Sequence, residues 1–113
     1  MGLEVLIASR GQHSLTTEIS EGLHVDLDNH DAALEHILDA DRHTPFTGIL
    51  GSDDSTVELA ADAARQLGLP HNPPEAARLS RRKDLARAHL ALAGCPVPIH
   101  CLIDMQKPLE PQM

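Results

Sequence analysis

The chain has 113 residues, 42% of them hydrophobic, with one Phe, no Trp or Tyr, and a formal net charge of −8. That length allows one domain with its own core, and the acidic balance without stacking aromatics excludes a nucleic-acid face. No apolar run approaches the roughly 20 residues that cross a bilayer and no basic–apolar–small leader is present, so a cytoplasmic protein without a membrane partner is expected.

Taken in order, Leu3–Ala8 is aliphatic and β-branched and reads as a strand stopped by Ser9-Arg10-Gly11. Gly11–Gly22 is polar, lacks periodicity and reads as a loop. Leu23-His24-Val25-Asp26-Leu27 alternates apolar and polar side chains, as an edge strand with one wet face does. Asp28 or Asn29 caps a helix whose buried stripe is Ala33, Leu34, Ile37 and Leu38. That helix frays over Asp39–Thr44 and ends at Pro45. Phe46 packs at the entrance to a buried strand, Gly48-Ile49-Leu50-Gly51.

Ser52–Ser55 then turns the chain into a second helix. Ser55 and Glu58 have capping-box spacing, and Val57, Leu59, Ala60, Ala63, Ala64 and Leu67 give the apolar face. Gly68 stands where a left-handed C-terminal cap is wanted. Asn72-Pro73-Pro74-Glu75 starts a third helix, with Asn72 as cap and Pro73 at the first helical position. A break near Ser80 divides it, Leu85, Ala86, Leu90 and Ala93 line one face of the second piece, and Gly94 closes it. Two prolines keep CPVP extended, and Ile99–Met113 shows no pattern, as a loose tail would. The order is strand, strand, helix, strand, helix; the βαβ crossover from Leu23–Leu27 through the first helix to Gly48–Gly51 predicts an α/β fold with parallel pairing and a right-handed connection.

Charge is spread unevenly. Residues 1–71 hold three basic side chains against thirteen acidic ones, and residues 72–94 hold five (Arg78, Arg81, Arg82, Lys83, Arg87) against two. The basic arm suits either an anion such as a nucleotide phosphate or a solvated helix face, and charge alone favours the solvated face.

His24, His30, His36 and His43 are six or seven residues apart, so no pair shares a helix face at i, i+4, and surface histidines are the better account. Asp26–Asp31 lacks the glycine that a calcium loop needs. Cys95 and Cys101 in CPVPIHC match no zinc or redox spacing and read as free thiols. Asp53 and Asp54 follow a strand at its carboxyl end, where open α/β sheets bind ligands, yet helix capping explains them equally. Neither a G-x-G-x-x-G nor a Walker A glycine pattern is present. No metal site and no catalytic set emerges from spacing.

From Ser52 onward, DDSTVELAADAARQLGLPHNPPEAA, then Arg81-Arg82-Lys83, Arg87 and LALAGCPVP, resembles the N-terminal, or pre-ATP-grasp, domain of ATP-grasp ligases. GLEVLIASRGQHSL and GLHVDLDN look like the second and third strands of such domains. The likeness covers about residues 2–98 and rests on the order and spacing of these segments together. It implies an incomplete Rossmann-like parallel sheet of about three strands over residues 2–70. A helical extension over 71–94 would lead toward an ATP-grasp core, and 95–113 would be an extended tail.

The resemblance further implies ATP-dependent, magnesium-assisted activation of a carboxylate as an acyl phosphate, followed by attack of an amine or thiol. Lys83 matches the family lysine that approaches the ATP phosphates, with Arg87 four residues on, and Asp53 and Asp54 match a loop on the substrate side. Arg82 departs from the pattern, since an acidic residue usually stands there. The family's first strand and helix, and the core carrying its magnesium carboxylates, have no counterpart in these residues. A fragment inactive alone, binding no cofactor tightly, is therefore expected. Its partner would be the ATP-grasp core or a second copy paired through an open sheet edge. The alternative is a freestanding small-anion-binding or assembly module.

Overall fold

The structure, a computed structural model, describes residues 2–10 and 22–112. Two short parallel strands, β1 (Ile7–Ser9) and β2 (Gly22–His24), are followed by four helices: α1 (His30–His43), α2 (Val57–Gln66), α3 (Pro74–Arg81) and α4 (Lys83–Leu92). The expected α/β class and parallel sheet hold, with Ile7 opposite Gly22, Ala8 opposite Leu23 and Ser9 opposite His24, but the crossover pairing expected between Leu23–Leu27 and Gly48–Gly51 does not form among the described residues. The loop expected from Gly11 lies outside the described residues, except for Gly22, which opens β2.

The core sits where β2, α1 and α2 meet. Val25, Ala33, Ile37, Leu59 and Ala63 are buried together, and Leu23, Leu27, Leu34, Phe46 and Ile49 pack against them. α1 starts as its sequence dictates: the Asn29 side chain accepts from the Ala32 N–H at 3.1 Å. Its last turn does not fray. Helix continues to His43, whose Nδ1 meets the Asp39 carbonyl at 2.9 Å, and the Asp41 carboxylate accepts from the Phe46 N–H at 2.8 Å. These side chains hold a turn that propensity alone leaves weak.

The segment expected as a third strand, Gly48–Gly51, is not one. It runs beside α2 without joining the sheet, with Ile49 half-buried and Leu50 91% exposed. Its apolar sequence is satisfied by packing of Ile49 on the core rather than by a ladder. The strand expected over Leu3–Ala8 likewise shrinks to Ile7–Ser9, the residues paired with Gly22–His24.

α2 ends at Gly68, φ +69°, where Gly68 N–H bonds the Arg65 carbonyl and Leu69 N–H the Ala64 carbonyl, the paired reverse bonds of a left-handed C-cap. The same two-bond pattern ends α4 at Gly94. α3 begins one residue later than expected, with Pro73 as cap and Pro74 at the first helical position. The break between α3 and α4 falls at Arg82 rather than Ser80. The Ser80 hydroxyl donates back to the Ala77 carbonyl at 2.6 Å and so stays inside α3.

α1 packs on α2, α2 on α3 and α3 on α4, so the helices form a row leading away from the sheet. α4 buries none of its residues. The radius of gyration is 17.9 Å, against about 13 Å for a compact chain of this length. The tail gains one short turn, Glu110–Gln112, where the Gln112 amide bridges the Asp104 backbone and the Lys107 and Pro108 carbonyls. No described helix is long and apolar enough to cross a membrane.

Candidate functional site

The break at Arg82 sets up the site. Arg82 is extended (φ −101°, ψ 94°), which splays its side chain forward onto Asp84. Nε and Nη2 meet the two carboxylate oxygens at 2.9 and 2.8 Å. This fork holds the Asp84 carboxyl below its usual value of 3.8 and raises the guanidinium above its own. Arg82 is thus engaged with Asp84, within the arm itself.

Lys83 and Arg87 follow on α4, one turn apart. With Arg81, Arg82 and Asp84 on one side and His100, Cys101 and Leu102 on the other, they line an open groove of about 340 Å³. Once the Arg82–Asp84 pair is set aside, Arg81, Lys83 and Arg87 leave the groove cationic, and the exposed amides at the start of α4 add a partial positive charge. Such a donor set suits phosphate oxygens. It does not suit a divalent cation, because the groove's one carboxylate is held by Arg82. Among the described residues, no three His, Cys, Asp or Glu side chains stand together as metal ligands would.

Asp53 and Asp54 lie elsewhere, ahead of α2, and do not line this groove. Asp53 organises its own turn. Its Oδ1 accepts from the Ser55 N–H at 2.8 Å and the Ser55 hydroxyl at 2.6 Å, with Thr56 Oγ1 3.2 Å away. The expected capping box is absent: α2 starts at Val57 with Thr56 at the cap position and no side-chain cap, so Ser55 and Glu58 each stand one residue too early for the box. Asp54 is exposed.

The Ser55 hydroxyl is the main cause that lowers the Asp53 pKa below 3.8. A carboxyl lowered by folding contributes stability above its unfolded value, and that contribution fades as pH falls through the folded value. Both Asp53 and Asp84 should therefore titrate below 3.8 by carboxyl-carbon NMR, with acid destabilisation setting in under that pH. Ser55→Ala should move the Asp53 midpoint up and leave Asp84 in place. An unchanged Asp53 midpoint would show that the hydroxyl does not hold the proton off.

The spacing of the histidines gave no hint of a chain of polar contacts across the helices. His30 Nε2 stands 2.8 Å from Asp62 Oδ2, Asp62 reaches Arg65 at 3.5 Å, and Arg65 reaches Glu75 at 3.5 Å. These link α1, α2 and α3 across 32 residues at the first step alone, so only the fold reveals them. His24, His36, His43 and Cys95 are exposed. Cys101 is a free, exposed thiol on the groove wall.

A second hollow, about 300 Å³, lies between the Ile49–Gly51 segment, α2 and α3, walled largely by alanines with His71, Asn72 and Ser80 at its rim.

Comparison with known proteins bears on the fold. A family model described as the ATP-grasp N-terminal domain matches residues 1–71. The solved structure of an L-amino acid ligase from Bacillus licheniformis superposes with a TM-score of 0.67 at 22% identity, over 79% of this chain and 24% of that one. This chain thus spans about a quarter of the length of that ligase. At that identity the likeness is one of fold. No curated protein matches.

Proposed function

We propose that this chain, which belongs to the family of ATP-grasp N-terminal domains, serves as the N-terminal portion of an ATP-dependent ligase. In that reaction a carboxylate oxygen attacks the terminal phosphorus of ATP, ADP leaves, and an amine (or thiol) then displaces phosphate from the acyl carbon. The observation that carries the reading for this chain is the cationic groove at the start of α4. It brings Lys83, the residue resembling the family's nucleotide lysine, beside Arg87 and Arg81. Their role is to hold phosphate oxygens. The similarity in fold to an L-amino acid ligase makes amino acids the first carboxylates to try.

The 113 residues alone are proposed to form no acyl phosphate. A single exposed ammonium–phosphate contact is worth about 1 kcal/mol, well short of the roughly 4 kcal/mol that millimolar affinity needs, so ATP binding is expected to be millimolar at best. Titrating ATP into isotope-labelled chain should shift Lys83, Arg87 and their neighbours, and Lys83→Ala should remove most of the effect. Shifts confined to residues 23–60 would overturn the assignment, and ATP turnover abolished by Lys83→Ala would overturn the proposed dependence on further segments.

The groove's cations also stand ready without any additional segment, which favours the second reading, a small-anion-binding module. Equal affinity for inorganic phosphate and ATP would support that reading, and a clear preference for ATP the first.

A further inference from the structure

We propose that β1 pairs with β1 of a second copy, in an antiparallel two-fold arrangement centred on Ile7. The backbone supplies the first reason. Ser9 O accepts from the Val25 N–H at 3.1 Å, and Ile7 and Ser9 stand opposite Gly22 and His24. Backbone groups alternate in direction along a strand, so those of Leu6 and Ala8 point to the opposite edge. Among the described residues no strand covers that edge. An uncovered strand edge is a template for another strand.

The side chains supply the second. Leu3, Val5 and Leu6 lead into β1 at 74%, 64% and 40% exposure, more apolar surface than a solvated edge needs. Natural edges are often blunted by charge or proline, and Leu6–Ser9 carries neither.

Charge selects the register. A two-fold centred on Ile7 puts Leu6 opposite Ala8, Val5 opposite Ser9, and Glu4 opposite Arg10 of the other copy. Every residue from Glu4 to Arg10 then has a partner, and opposite charges face each other at both ends. Sliding by two residues one way puts Glu4 opposite Ala8 and leaves both charges unmatched, and sliding the other way carries Glu4 past Arg10. Glu4 has no ion pair among the described residues, and Arg10 holds only the exposed Asp28 at 3.0 Å. That contact is weak enough to exchange. Ile7 meets Ile7 of the second copy on the axis, with both Val5 side chains diagonal to it. The result is a four-stranded sheet, β2–β1–β1–β2, with β1 no longer at an edge.

The test uses the 113-residue chain in sedimentation and light scattering from micromolar to millimolar concentration. A monomer–dimer equilibrium is expected. Glu4→Arg and Arg10→Glu should each weaken it by about tenfold, and the double swap should restore it. Ala8→Pro removes an N–H aimed at the partner, outside the β1–β2 ladder, and should abolish the dimer with helix content unchanged. In a Cys95→Ser/Cys101→Ser background, Ile7→Cys should oxidise to a disulfide dimer, since a non-hydrogen-bonded antiparallel pair brings the two Cα atoms within bonding reach. Val5→Cys, facing Ser9, should form no disulfide-linked dimer on oxidation. A monomer throughout, or a dimer indifferent to both Ala8→Pro and the charge swaps, would overturn the proposal.

Discussion

Replacing Ile37 with alanine is expected to leave the chain largely unfolded at room temperature or within a molar or so of urea of it. The reason lies in what the core is made of. Of the eight buried hydrophobic residues among those described, five are alanines (Ala33, Ala61, Ala63, Ala64, Ala77), and Val25, Ile37 and Leu59 are the three larger ones. Ile37 is 8% exposed, midway along α1, packed with Val25, Leu59 and Ala63. Truncating such a side chain costs about 2–5 kcal/mol, because the cavity adds to the lost transfer energy. A typical domain has only about 5–15 kcal/mol in total, and this one leaves α4 and most of the tail outside its core. Leu50→Ala, at a side chain 91% exposed, should change stability by no more than about 0.5 kcal/mol and so barely move the urea midpoint. Equal midpoints for the two variants would mean that the core lies elsewhere.

Local sequence read the helices well and the strands poorly, for a physical reason. The Asn29 cap and the left-handed Gly68 are decided within a few residues, so a chain read in order reveals them. A strand exists only with a lateral neighbour. Gly48–Gly51 has the composition of a buried strand but lies beside α2, and nothing in those four residues reports which neighbour they find. The capping box failed by one residue: Ser55 closes a turn on Asp53, the helix opens after Thr56, and Glu58 falls at its second position rather than its third.

The same distinction divides the candidate site. Lys83 and Arg87, one turn apart on a single helix, were legible as a pair. The wall opposite them, His100–Leu102, comes from a stretch with no periodicity, so the groove itself was not. Nor was the Arg82–Asp84 fork foreseen. It separates the cation engaged with its neighbour from those that line the groove, and it follows from the extended backbone at one residue.

Gly51→Ala should be the most damaging single-methyl addition in the described chain. A Cβ built there would lie 2.8 Å from the Val57 Cα and 2.9 Å from both Thr56 C and Val57 N. All three are backbone atoms at the start of α2, so no rotamer change relieves the clash. Either the Ile49–Gly51 segment lifts off the helix or the first turn of α2 unwinds. The first withdraws Ile49 from the core, and the second disturbs the Asp53–Ser55–Thr56 turn. Overpacking of this kind costs about 1–3 kcal/mol, a large share of what a core built mainly of alanine supplies. Gly48→Ala is the control: a Cβ there meets nothing within 4 Å, and stability should change little. The two variants should separate clearly in urea melts. For Gly51→Ala, shifts should change at the amides of residues 49–60 and at the Ile37 methyls, while the amides around Lys83 stay fixed, since the α4 groove shares no lining residue with this contact. A Gly51→Ala chain as stable as Gly48→Ala would mean that the segment does not approach α2 this closely in solution. The hollow walled by Ile49, Leu50 and the alanines of α2 and α3 would then be wider than about 300 Å³.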